Sequence, residues 1–209
     1  MNTRLILVRH GETQWNKENV FRGLSDVPLN EHGVRQAEAL GRFFEGVDFA
    51  AIYTSRLKRA LDTARAIARA QKSERIIRND EGLLDIHRGQ WEGLRHEEAK
   101  AKFPELYEKW FSSPENVTFP GGENLGTVGM RAMRSIDRIS REYSGKTVIL
   151  VTHHVVLRVI LCGLLDVGVS HFRRFEAFPA SVSEVEQQYG KWVLMKLNDQ
   201  TPSLRGTHG

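Results

Sequence analysis

Leu5-Ile6-Leu7-Val8-Arg9-His10-Gly11 is the stretch on which the fold turns. Four consecutive apolar residues stop abruptly at a cation, an imidazole and a glycine. A run this short predicts a strand, and its lack of alternation predicts burial on both faces, as in a parallel sheet. Working outward, Asn30 is a candidate N-cap for a helix carrying Val34, Ala37, Leu40, Phe43 and Phe44 at helical spacing. Ala50-Ala51-Ile52-Tyr53 repeats the buried-strand pattern and ends at Thr54-Ser55. A helix is expected from Leu57 to Ala70, and a shorter third strand at Arg75-Ile76-Ile77. Thr127 to Tyr143 reads as a helix with a stripe of Val128, Met130, Met133, Ile136 and Ile139. Thr147 to Val151 is a fourth strand, followed by a helix from Val155 to Leu165. Val182 to Gln187 and Trp192 to Leu197 read as strands separated by Gln188-Tyr189-Gly190, which predicts a hairpin.

Between Glu81 and Leu125 the periodicity loosens. Glycines and prolines punctuate the stretch, and Trp91, Phe103, Tyr107, Trp110 and Phe111 sit among charges. It reads as short helices and loops capping a site. Strands alternating with helices predict an α/β fold, a three-layer αβα sandwich with a mostly parallel central sheet and this small cap. A single catalytic domain over residues 1–198 is expected. A frayed polar tail, 199–209, would follow it.

The composition narrows the function classes. The 209 residues hold 30 Lys+Arg and 26 Asp+Glu, for a net charge of +4. The basic residues are interspersed with acids, which predicts a mixed solvated surface rather than a nucleic-acid face. A net positive charge also suits an anionic small substrate. The segment from Val148 to Val169 is apolar, but His153, His154, Arg158 and Asp166 interrupt it, so no membrane span is expected. The N-terminus offers too few apolar residues for a signal peptide. The single cysteine, Cys162, excludes an internal disulfide and fits a cytoplasmic setting.

Ligands of parallel sheets bind beyond the carboxyl ends of the strands. The first strand delivers Arg9 and His10 there. The second delivers Thr54-Ser55, with Arg59 opening the next helix, and the fourth delivers Thr152, His153 and His154. If these strands are neighbours, histidines and arginines converge on one rim. Neutral imidazole is a good nucleophile toward phosphorus, guanidinium forks match phosphoryl oxygens, and a second histidine, if protonated, would stabilise the developing charge. Two histidines among arginines are a poor metal site, so none is expected. No nucleophile elbow or phosphate-cradling glycine loop of the common nucleotide folds occurs.

The segment from Leu5 to Asn16 resembles the signature of the histidine phosphatase superfamily, in the branch that contains cofactor-dependent phosphoglycerate mutases. Gly23 to Leu29, Tyr53 to Ala60, Gly89 to Gly93, Pro120 to Glu123 and Val151 to His153 resemble its further segments in order, over nearly the whole chain. The resemblance implies that His10 becomes phosphohistidine. It implies that Arg9, Arg59 and His153 neutralise the phosphoryl oxygens with Asn16 as a further donor, and that no metal or other cofactor is needed. It places the proton donor at Asp85, in Leu83-Leu84-Asp85-Ile86, where the family usually carries Glu. Glu81, His87 and Glu92 are the nearby substitutes.

Arg22 stands where phosphatase members commonly carry Gln, and His154 where Gly is common. Arg22, Gly23, His154 and Arg88 are the expected substrate contacts. The reading is a metal-independent phosphomonoesterase acting on a small phosphorylated metabolite. Pro104 to Trp110 and Pro120 to Glu123 are similar to α-ribazole phosphatases and metal-independent phosphoserine phosphatases. The alternatives are a mutase or bisphosphatase, supported by Arg22 and Arg88, and a weakly catalytic phosphate-ester-binding protein, supported by Asp85. A homodimer through the last strands is a further expectation.

Overall fold

The computed structural model describes residues 2–71 and 77–204. Six strands form one sheet: β1 (Arg4–Arg9), β2 (Ala51–Thr54), β3 (Ile77–Asn79), β4 (Thr147–Thr152), β5 (Val182–Gln188) and β6 (Lys191–Asp199). Their order is β3-β2-β4-β1-β5-β6. The first four strands in that order run parallel, and β5 and β6 add antiparallel at the β1 edge. The expected residues 75 and 76 of the third strand lie outside the described residues, and the strand continues instead to Asn79.

The unbroken apolar run of β1 has a direct cause. Leu5 and Leu7 face one core, with Val148 and Leu150 of β4. Ile6 and Val8 face the other, with Ile149 and Val151. The first core is closed by α6 (Leu125–Glu142), α7 (His154–Leu164) and the cap. The second is closed by α2 (Glu31–Phe43), which follows the single turn α1 (Gln14–Lys17), and by α3 (Lys58–Arg69). Three layers follow from two apolar faces that both need cover.

Local chemistry sets the helix starts. Asn30 caps α2 by accepting from Gly33 N–H at 2.7 Å, and Asn124 caps α6 by accepting from Thr127 N–H at 2.8 Å. That second cap starts α6 two residues before the expected Thr127. Val34 and Met130, expected in the apolar stripes, are instead exposed, at 45% and 59%.

The cap consists of α4 (His96–Lys102), α5 (Pro104–Ser112) and short 3₁₀ turns. Pro104 opens α5, where a missing N–H costs nothing. Trp91 is the cap's buried centre, packed against Phe21, Phe103, Tyr107 and Phe119. The tail differs from expectation at its start. Asp199 still belongs to β6, and α8 (Thr201–Leu204) packs on α2. Residues 205–209 lie outside the described residues. No helix of the described residues is long and apolar enough to cross a membrane. The segment that looked closest to one is β4 and α7, buried by the sheet and by α6.

Candidate active site

β4 lies between β1 and β2, so the three expected strand ends are adjacent. The His10 N–H donates to the Thr152 carbonyl at 3.0 Å, continuing the β1–β4 ladder into the site. The His10 and His153 rings lie 5.1 Å apart, tilted by 58°. Arg59 enters from the first turn of α3, and Asp85 from the loop after the turn Glu81–Leu83. His10, Arg59 and His153 are wholly buried, and Arg9 and Asp85 nearly so.

The state of His10 follows from its contacts. Its Nδ1 lies 2.6 Å from the Gly11 carbonyl, an acceptor, so Nδ1 carries the proton. Nε2 is left as a bare lone pair, buried and without a hydrogen-bond partner among the described residues. Burial pushes the imidazole well below its usual pKa, and His153, Arg59 and Arg9 push the same way. His10 is therefore neutral at physiological pH, with its free nitrogen among guanidiniums.

His153 is neutral too, lowered well below its usual pKa by burial and then by Arg59 and Arg22. Its Nδ1 accepts from Arg59 Nε at 3.2 Å, and its Nε2 donates to Ser55 Oγ at 2.7 Å. The protonated second histidine considered from the sequence is thus not the resting form, because burial and two neighbouring cations oppose a further charge.

Arg59 is heavily engaged. It donates to the carbonyls of Ser25 and Gly23, each at 2.8 Å, and to Asp85 Oδ2 at 3.1 Å. Arg9 donates to the Ala177 carbonyl at 2.6 Å, and its Nε has no partner among the described residues. Asn16 uses its Oδ1 to accept from Thr13 N–H and Oγ1, which leaves its NH₂ group to donate.

Asp85 accepts from the Ile86 N–H at 2.9 Å through Oδ1, while Oδ2 holds Arg59 and lies 3.8 Å from His153 Nδ1. Burial alone would raise its pKa. Arg59, Arg88 and Arg22 outweigh that and hold it below the usual carboxylate value. The substitutes behave differently. Glu81 is exposed and pairs with Arg56. His87 is 42% exposed. Glu92 braces the Gly23 loop by accepting from the N–H groups of Leu24 and Arg88.

Above this floor lies a cavity of about 500 Å³ whose lining includes Arg9, Asn16, Arg22, Asp85, Arg88 and His154. Nearly every sequence-selected residue thus meets at one place. Gly23 contributes its carbonyl to Arg59 and a φ of +54°; a Cβ there would meet Glu92 Oε1 at 2.2 Å. Arg88 is ringed by Phe21, Trp110 and Phe119 at 4.9 to 5.0 Å. Arg22 is partly buried, not solvent-facing. His154 lies 2.9 Å from Glu176 and 3.1 Å from Arg158, so it is packed into the pocket wall.

Other contributors carry no sequence signal. Arg131, on α6, donates to the carbonyls of Gly82, Leu84 and Asp85 at 2.8 to 3.0 Å, and pairs with Glu123. It holds the Asp85 loop in place. Ser55 lies inside a quoted motif, yet only the fold shows that it fixes His153.

The whole arrangement matches known proteins. Residues 5–200 match the model of the histidine phosphatase superfamily, branch 1. The chain is 36% identical over 195 residues to phosphoserine phosphatase 1 of Hydrogenobacter thermophilus, covering 93% of this chain and 92% of that one. It is 35% identical over 199 residues to a metal-independent phosphoserine phosphatase of Arabidopsis thaliana, covering 94% and 82%. The solved structure of Bacillus stearothermophilus YhfR superposes with a TM-score of 0.91 at 34% identity, covering 96% of this chain and 99% of that one. The chain therefore belongs to branch 1 of the histidine phosphatase superfamily and is a phosphatase of that family.

Proposed function

We propose that the chain is a metal-independent phosphomonoesterase that works through a phosphohistidine at His10 Nε2. The observation that carries this reading is the tautomer: the Gly11 carbonyl takes the Nδ1 proton and leaves Nε2 as a free lone pair beside Arg9 and Arg59. In the first step a P–N bond forms at Nε2 as the ester P–O bond breaks. Arg9, Arg59 and the NH₂ group of Asn16 receive the phosphoryl oxygens, with His153 held against Arg59 by Ser55. Fixed guanidiniums provide the charge compensation that a metal gives other phosphoryl transfer sites.

Asp85 protonates the leaving alkoxide and then takes a proton from the water that cleaves the P–N bond. It is ionised at rest because Arg59, Arg88 and Arg22 surround it. A phosphoryl dianion seated on Arg59 offsets those charges and raises the carboxyl toward its working state. His10 is wholly buried, while Arg9 and Asp85 line the cavity through which the ester arrives.

The names of two relatives make phosphoserine the first ester to try. A cytoplasmic setting is in keeping with the free, buried thiol of Cys162. The test is phosphate release in excess EDTA. We expect turnover by the parent and none by His10→Ala. Release that requires an added divalent ion, or that survives in His10→Ala, would reject the reading.

A further inference from the structure

The floor of the cavity accounts for one phosphoryl group, yet the cationic lining continues past it. Arg22 and Arg88 both line the cavity above Asp85. Each keeps a buried nitrogen, Nε of Arg22 and Nη1 of Arg88, with no hydrogen-bond partner among the described residues. Buried donors are nearly always satisfied, so two orphans in one cavity wall point to an acceptor that arrives from outside.

The charges argue the same way. Asp85 attracts Arg59, Arg88 and Arg22 at once, but of these three only Arg59 is hydrogen-bonded to it. Burial lowers Arg22 and Arg88 to about 10, and repulsion from Arg59 acts on Arg22 and from Arg22 on Arg88; both stay charged at neutral pH. Farther out, Arg173 lies over Phe111 and Phe172 at 5.0 and 5.2 Å and extends the positive rim. The Arg88 guanidinium is held within its three aromatic rings, so it is aimed before any ligand binds. The cavity, at about 500 Å³, has room for a leaving group as well as a phosphoryl group.

We propose that Arg22 and Arg88 form a second anion subsite, and that the substrates are phosphate monoesters whose alcohol carries a carboxylate or a second phosphate. This rests on the phosphomonoesterase reading and adds the substrate class. The subsite reads negative charge on the leaving group, not the serine skeleton. Charge-assisted bonds to a preset guanidinium are strong and forked, so selectivity of roughly ten- to a hundredfold is expected.

The experiment is a comparison of kcat/KM in EDTA over five esters. 3-Phosphoglycerate and phosphoserine carry a carboxylate, and fructose 1,6-bisphosphate a second phosphate. Glycerol 3-phosphate is neutral beyond its ester, and phosphoethanolamine cationic. The proposal expects the anion-bearing esters to lead by about tenfold or more, with phosphoethanolamine last. The carboxylate and bisphosphate arms identify which anion fits. In Arg88→Gln and Arg22→Gln the ratio of the best anionic ester to glycerol 3-phosphate should fall about tenfold, and Arg88→Lys should restore part of it. Equal turnover of neutral and anionic esters by the parent protein overturns the subsite and leaves the phosphatase reading standing. A ratio unchanged in both Gln variants also overturns it. No phosphate release from any ester would reject the phosphatase reading itself.

Discussion

The floor of the site and its wall are built on opposite terms. On the floor, His10, His153 and Arg59 leave the ends of packed strands and the start of a helix, and nearly every polar atom has a partner. On the wall, Arg22 and Arg88 come from loops and keep unpaired buried nitrogens, and Arg88 leans on aromatic rings. The floor is set for one chemical event, and His10 Nε2 is its only orphan imidazole nitrogen among the described residues. The wall is set for a leaving group. Rigid strand ends fix the reaction, while loops fix what enters.

The largest effect tests the floor. His10→Ala should lower kcat by at least about a thousandfold, since among the described residues no other buried imidazole nitrogen lacks a partner. Steady-state kinetics on p-nitrophenyl phosphate reads this. Asp85→Asn comes next. It should slow alkyl esters by roughly a hundredfold or more and aryl esters much less, because a good leaving group needs no acid. A uniform loss across both leaving groups would remove Asp85 from the acid role.

Arg131→Met sharpens the border between floor and wall. Losing its bonds to the Gly82, Leu84 and Asp85 carbonyls should misplace the acid and lower kcat on alkyl esters by about tenfold. KM should hold, since Arg131 is not among the residues lining the cavity; a rise in KM alone would contradict the positioning role. Gly23→Ala should destabilise the fold by about 1–3 kcal/mol, because φ of +54° is strained for alanine and Glu92 occupies the Cβ position. A thermal melt within 1 °C of the parent would contradict that reading.

The smallest effect is a pH dependence of stability. His10 and His153 are held below their unfolded pKa, so the unfolded chain binds more protons between the two values. Asp85 is lowered as well. Stability is full above the unfolded histidine value of about 6.5 and declines as pH falls below it. Melting temperatures should drop from pH 7.5 to pH 5.5, and a rise over that interval would contradict neutral buried histidines.

The floor was legible in the sequence, and the wall only in part. Leu5 to Val8 revealed a strand buried on both faces because period and composition report burial directly. His10, Arg59 and His153 followed because they stand at fixed offsets from such strands. Arg22 and Arg88 could be named, but their burial, and the aromatic clamp on Arg88, depend on a cap that has no simple period. Arg131 was invisible, since an arginine on an amphipathic helix looks like any solvated one until the loop beneath it is placed. Val34 and Met130 show the converse limit. Their spacing fits the apolar stripe, yet both side chains are exposed, because periodicity alone does not mark where the buried face ends. The start of the tail also escaped notice, because α8 is held by its packing on α2 rather than by local propensity.

The most direct test of the central claim is a rapid-quench labelling of the protein with a ³²P-labelled aryl phosphate, in EDTA. A phosphohistidine at His10 predicts a label that is stable in alkali, lost in acid, confined to the peptide containing His10 and absent from His10→Ala. Turnover with no trapped label, or a label that persists in His10→Ala, would contradict it.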